Sequence, residues 1–121
     1  MTSWTFQKLK KILLHKPGSF EDFPFGPDVS VFKVSSKMFA LASPEERPVR
    51  VNLKCHPEEA DMQRAIFDAV LPGYHMNKRH WNTVILDGSI PDTLIEEMID
   101  ISYDLVVKSL KKSERASLRP S

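Results

Sequence analysis

An α+β fold, with an antiparallel sheet covered on one face by helices, is what the sequence predicts, and three observations predict it. Val49, Val51, Leu53 and Cys55 alternate with Arg50, Asn52 and Lys54, the period-two pattern of a strand that buries one face. Leu94, Ile95, Met98, Ile99, Ser102, Leu105, Val106 and Leu110 fall at helical spacing and make the stripe of a long amphipathic helix. The strand-like runs before residue 55 are joined by short polar turns, which favours antiparallel neighbours. The expected order is helix, strand, strand, strand, helix, strand, helix.

Each element has its own signals. Thr2 or Ser3 is positioned to cap a first helix whose apolar residues are Phe6, Leu9, Ile12 and Leu13, and Pro17-Gly18 stops it. Ser19 to Asp28 mixes Phe20, Phe23 and Phe25 with Pro24, Gly26 and Pro27, which predicts irregular chain whose three rings plug one end of the core. Val29–Val34 and Met38–Ala42 read as a hairpin around Ser35-Ser36-Lys37. After the strand through Val51, Pro57 suits the first position of a helix with Glu58, Glu59 and Asp61 at its positive end. Its buried stripe is expected to be Met62, Ala65, Ile66, Ala69 and Val70, and Pro72-Gly73 its end. Trp81–Leu86 is a strand with Asn82, Val84 and Leu86 opposite Trp81, Thr83 and Ile85. Asp87-Gly88 turns into the last helix at Pro91. Residues 1–112 are expected to form one domain and 113–121 a flexible basic tail.

With 121 residues the chain is long enough for a self-sufficient core. Seventeen basic and sixteen acidic side chains leave a net charge of +1, which argues against a nucleic-acid binder that works by overall attraction. The cations nevertheless cluster, at Lys8, Lys10, Lys11 and Lys16, at Lys78 and Arg79, and at Lys108, Lys111, Lys112, Arg115 and Arg119. Helix-end electrostatics and a solvated tail are the plain account of that grouping. The single Cys55 excludes an internal disulfide and fits a reducing compartment. The start has no apolar run of secretory type, and the longest apolar block, Met38–Ala42, is too short to span a bilayer, so a cytoplasmic protein is expected.

Candidate chemistry concentrates in Pro72–Trp81, where Tyr74, His75, His80 and Trp81 are interleaved with Asn77, Lys78 and Arg79. Lys78 and Arg79 are suited to phosphate or carboxylate oxygens, the rings to stacking, and the amides of Asn77 and Asn82 to base edges or backbone. Alternatively, Tyr74 and Trp81 cover a sheet edge and Lys78-Arg79 is a solvated turn. Cys55, His56, His75 and His80 lack any ligand spacing that zinc uses, and alternation turns Cys55 inward, against a thiolate nucleophile. No Gly-rich phosphate loop is present. No metal, no cofactor and no enzymatic activity is expected.

Phe23-Pro24-Phe25-Gly26-Pro27-Asp28, Val31-Phe32-Lys33-Val34, Lys37-Met38-Phe39-Ala40 and Leu53-Lys54-Cys55 resemble the MmcQ/YjbR family of small bacterial proteins. The run from Pro72 through Tyr74-His75-Met76-Asn77-Lys78-Arg79-His80-Trp81 to Val84, then Asp87-Gly88-Ser89 and Ser102-Tyr103-Asp104-Leu105-Val106, is similar to that family's signature in the same order. The resemblance extends from the first helix to about Lys111. It implies a frataxin-like (CyaY-like) domain, also compared with a double-wing DNA-binding fold, and a DNA-binding label with no established enzyme activity. On that reading Lys33, Lys37, Arg50, Lys54, Lys78 and Arg79, with Asn52 beside them, contact the phosphates of double-stranded DNA, and Tyr74, His75, Asn77, His80 and Trp81 make stacking or groove contacts. The alternative is a module for a small anionic ligand or a protein partner, with the loop's rings closing a pocket against the sheet and Arg79 holding the anion. A monomer without membrane association is expected in either case.

Overall fold

The alternating run around Val51 becomes a central strand. In a computed structural model of the chain, which describes residues 4–73 and 76–118, the elements are α1 (Phe6–Leu14), β1 (Ser19–Asp22), β2 (Ser30–Val34), β3 (Lys37–Ala42), β4 (Arg50–Lys54), α2 (Pro57–Ile66), β5 (Val70–Pro72), β6 (Trp81–Ile85), α3 (Asp92–Lys108) and α4 (Lys112–Ser117). The strands form one antiparallel sheet of six in the order β1-β2-β3-β4-β6-β5. Period two then gives the sheet two different faces. Phe32, Ala40, Leu53, Val51, Val84 and Val70 join Leu9 and Leu13 of α1 and Ile95, Ile99 and Val106 of α3 in one buried core. Across the opposite face, Leu41, Asn52, Thr83 and Leu71 stand in one cross-strand row, and no helix among the described residues covers it.

Four local expectations need correction. The α1 cap is Thr5, whose hydroxyl accepts from the Lys8 N–H at 3.1 Å, while the expected caps Thr2 and Ser3 lie outside the described residues. Ser19–Asp22 is not irregular: it pairs with β2 from Ser19↔Val34 to Asp22↔Val31, a partner that local composition does not reveal. Phe20, Phe23 and Phe25 do not plug the core, and Phe25 is 66% exposed, because side chains of α1 and α3 already fill the inner face. The helix after Pro57 ends at Ile66 rather than at Pro72-Gly73, and Ala69 and Val70 enter the core from the start of a strand instead. Both conformations bury that pair, so helical spacing did not distinguish them. Met62 and Ile66 are left 58% and 62% exposed.

Where β3 and β4 meet, the ladder is only two residues long, Ala40↔Leu53 and Leu41↔Asn52. Beyond it, Ser102 of α3 fills the gap with a hydroxyl. Fully buried, it accepts from the Lys54 N–H at 2.8 Å and donates to the Phe39 carbonyl at 2.6 Å. Next to it Tyr103 meets the Phe39 ring edge-on, 5.3 Å between centroids, and donates to the Pro17 carbonyl. Ser102, which the sequence places in an apolar stripe, is thus the polar bridge that lets two central strands diverge.

Past α3 the sequence predicts fraying, and the chain instead forms α4 and folds back. The Glu114 carboxylate accepts from the Lys111 N–H at 3.1 Å and from the Ser35 hydroxyl, and Leu118 packs on the core. Gly18, at φ +73°, lies so close that a Cβ there would meet Leu118 Cδ2 at 2.2 Å. The Ser35 hydroxyl first, and the Lys111 N–H second, hold the Glu114 carboxyl below its usual range. A depressed folded value stabilises the docked state above the carboxyl's unfolded value, and that contribution disappears as pH falls through the folded one. The Leu118 methyl resonances should therefore move toward solvent-exposed positions as the pH falls through and below the ordinary glutamate range, and Glu114→Gln should flatten the transition. An unchanged Leu118 environment across that range would count against carboxylate-linked docking.

Candidate functional site

The uncovered sheet face is where side chains converge without a helix to bury them. A groove of about 740 Å³ opens there, floored by Leu41, Asn52 and Thr83 and walled by Met38, Met76 and Trp81. Phe25, largely exposed, also lines it, and Arg50 and Glu46 stand at its polar end. The floor is fixed by its own hydrogen bonds: Thr83 Oγ1 donates to Asn52 Oδ1 at 2.5 Å, and Asn52 Nδ2 donates to the Leu41 carbonyl at 3.4 Å. Trp81 is only 9% exposed, yet it is not part of the inner core; β6 turns it toward the groove, in register with Lys54. Its backbone comes so close to Gly73 that a Cβ on that glycine would lie 3.0 Å from the Trp81 Cβ. Gly73 therefore serves close approach of β5 and β6, not termination of a helix.

Behind that wall, Arg64 of α2 ties the loop to the sheet. Its Nε donates to Asn82 Oδ1 at 2.6 Å, and one Nη donates to the carbonyls of Lys78 and, at 3.3 Å, Trp81. Asn82, almost fully buried, spends its amide on the Ala60 carbonyl and on Gln63 Oε1, at 3.3 and 3.2 Å. Asn82 is thus directed inward to α2 and not to a base edge. The loop closes locally as the Asn77 carbonyl accepts from the N–H groups of His80 and Trp81, and Asn77 Oδ1 accepts from the Arg79 N–H.

The residues singled out from the sequence are dispersed. Arg50, Asn77 and Trp81 come together around the groove. Lys54 is on the same face, and Lys78 and Arg79 are exposed on the loop beside it. His80 contributes its carbonyl, which accepts from the Cys55 N–H at 2.8 Å. Lys33 is engaged by Asp22 at 2.9 Å, and Lys37 turns to the helix side, where it donates to the carbonyl and hydroxyl of Ser109. Tyr74 and His75 lie outside the described residues, as does Arg119 of the tail. Several other lysines are also paired, Lys8 with Asp92, Lys10 with Glu21 and Lys16 with Asp100, which disperses the cationic field. Sequence reasoning missed Met38, Leu41 and Thr83 as groove residues and Arg64 as the loop's anchor. The one available signal was the odd-numbered face of β6, where Thr83 and Trp81 share a side.

Cys55 is buried, and desolvation pushes its thiol up to about 11 against the pull of Arg64, which keeps it protonated at neutral pH. Among the described residues no group of three or more His, Cys, Asp or Glu is placed to hold a metal ion. No helix among them is long and apolar enough to cross a membrane.

Comparison with known proteins adds kinship to this geometry. The family model described as YjbR matches residues 14–105. The chain belongs to the YjbR family. It is 35% identical to the uncharacterised Escherichia coli K12 protein YjbR over 114 residues, which is 94% of this chain and 97% of that protein. It is 36% identical to the uncharacterised protein YbdF of Escherichia coli O157:H7, across 92% and 91% of the two chains. Among solved structures, the Deinococcus radiodurans protein DR2400, with domain DUF419, superposes with a TM-score of 0.86 at 40% identity, covering 94% of this chain and 87% of its own. A Pseudomonas syringae protein superposes with a TM-score of 0.73 at 29% identity, over 84% and 98%. The match range takes in both floor and walls of the groove, so the groove lies within the part of this chain that is YjbR-like.

Proposed function

We propose that this YjbR-family domain is a non-enzymatic binding module whose ligand occupies the groove on the uncovered sheet face. One observation carries the reading: a cavity of about 740 Å³ with apolar walls and a few fixed polar groups, on a rigid sheet. Pockets for small organic ligands hold about 300–1,000 Å³ and have that mixture of surfaces. Burial of Cys55 favours binding over thiol catalysis. A frataxin-like kinship and a cytoplasmic setting belong to the same proposal, supported by helices on one face of an antiparallel sheet and by a lone cysteine kept as a thiol.

Binding of duplex DNA is the second reading, favoured by the exposure of Lys78 and Arg79 beside the groove. The ion pair of Lys33 with Asp22 and the helix-side position of Lys37 leave these two lysines poorly disposed to add phosphate contacts. One experiment separates the two. A small aromatic and aliphatic fragment set and a mixed-sequence duplex are titrated by NMR, across a salt series. Groove binding is expected to perturb the Thr83, Asn52 and Trp81 signals, to vary little with salt, and to disappear in Thr83→Phe, which fills the floor with a good strand former. Duplex binding that falls by orders of magnitude with salt and is lost in Lys78→Glu/Arg79→Glu would favour DNA instead.

A further inference from the structure

The polar end of the groove holds more hydrogen-bond donors than acceptors that use them. Arg50 Nε is buried and has no hydrogen-bond partner among the described residues, although the side chain as a whole reaches the surface. Its ion-pair neighbour, Glu46 Oε2, stands 3.8 Å away, too far to accept from it. Asn52 beside it accepts from Thr83 at Oδ1 and spends one N–H on the Leu41 carbonyl, which leaves its second N–H for a further partner. A buried N–H left without an acceptor is costly, and a guanidinium is the group best shaped to receive a carboxylate by two parallel bonds. Beside these donors the walls are the Trp81 ring, the Phe25 ring and the Met38 and Met76 thioethers, surfaces that accept a flat apolar body.

Resting on the groove reading above, we propose that the ligand is an aromatic carboxylate, with its ring system between Trp81 and Phe25 and its carboxylate on Arg50. Glu46, on the connection before β4, is the internal stand-in that the ligand's carboxylate displaces. The role assigned to Arg79 by the sequence, holding an anion in the pocket, passes to Arg50, because Arg50 and not Arg79 lines the cavity.

A matched pair of probes tests this: naphthalene-2-carboxylate and naphthalene-2-carboxamide, which share a body and differ in charge. Each is titrated into the full chain, with the Thr83 and Asn52 amide resonances as readout. The acid is expected to bind at least about tenfold more tightly than the amide, as the loss of one charge-assisted contact implies. Arg50→Gln should reduce the acid to the amide's affinity, Arg50→Lys should restore part of the difference, and Glu46→Gln should strengthen the acid severalfold while leaving the amide unchanged. Equal affinities for acid and amide, or a ratio that survives Arg50→Gln, would overturn the assignment of Arg50 and leave the groove standing. If neither probe moves the floor resonances, the groove reading itself fails and this inference with it. Amide spectra of each variant separate loss of binding from loss of fold.

Discussion

Replacing Arg64 with Met is expected to destabilise the domain by about 2–3 kcal/mol and to release the wall of the groove. The methionine stem keeps most of the packing, so what is removed is the guanidinium. Asn82 Oδ1 then loses its charged donor inside the protein, and the Lys78 and Trp81 carbonyls lose theirs at the loop. The first loss dominates, because Asn82 is buried where water cannot substitute, whereas the Lys78 carbonyl faces solvent. Arg64→Lys should rescue little, since a point ammonium cannot serve three acceptors that a planar fork serves. Urea unfolding gives the energy, and Trp81 emission, read in a Trp4→Phe background, should shift to longer wavelength in native buffer. A Met variant as stable as the parent, with unshifted emission, would refute this role.

Ser102→Ala is expected to cost about 2–4 kcal/mol, although it removes a single oxygen atom. Two backbone groups depend on that oxygen, the Lys54 N–H and the Phe39 carbonyl, and each is left unsatisfied where β3 and β4 separate. Each such orphan typically costs about 1–3 kcal/mol. Ser109→Ala is the control: its hydroxyl also bonds a helix carbonyl, but at an exposed position, and its loss should be nearly neutral. Thermal unfolding of the Ser102 variant should begin roughly 10 °C lower. Equal midpoints for the two alanine variants would show that the gap between the strands closes or hydrates without the serine.

These two residues also mark the limit of what local pattern conveys. Ser102 occurs within a helical apolar stripe, and period 3.6 correctly places it inward; nothing in the spacing says that the inward side meets a broken ladder. Arg64 reads as an ordinary cation near a helix end, and its three acceptors come from a loop and strand 14 to 18 residues away. The loop Pro72–Trp81 drew attention through its rings and cations, and part of it does border the candidate groove. The floor of that groove did not draw attention, because Leu41 and Thr83 are unremarkable strand residues until four strands align them.

By itself the sequence determined the α+β class, the hairpin of β2 and β3, the two-faced character of β4 and β6, the long α3 and membership of the YjbR family. Each of these rests on a local period or a contiguous motif, so the information lies within a few residues. Tertiary structure alone decided that Ser19–Asp22 becomes an edge strand, that Val70–Pro72 leaves the helix for the sheet, that α4 folds back through Glu114, and that the uncovered face is concave. Those outcomes depend on which partner an ambiguous segment meets and on which face the helices choose to cover. Burial is satisfied by more than one local conformation, and only the assembled packing chooses among them.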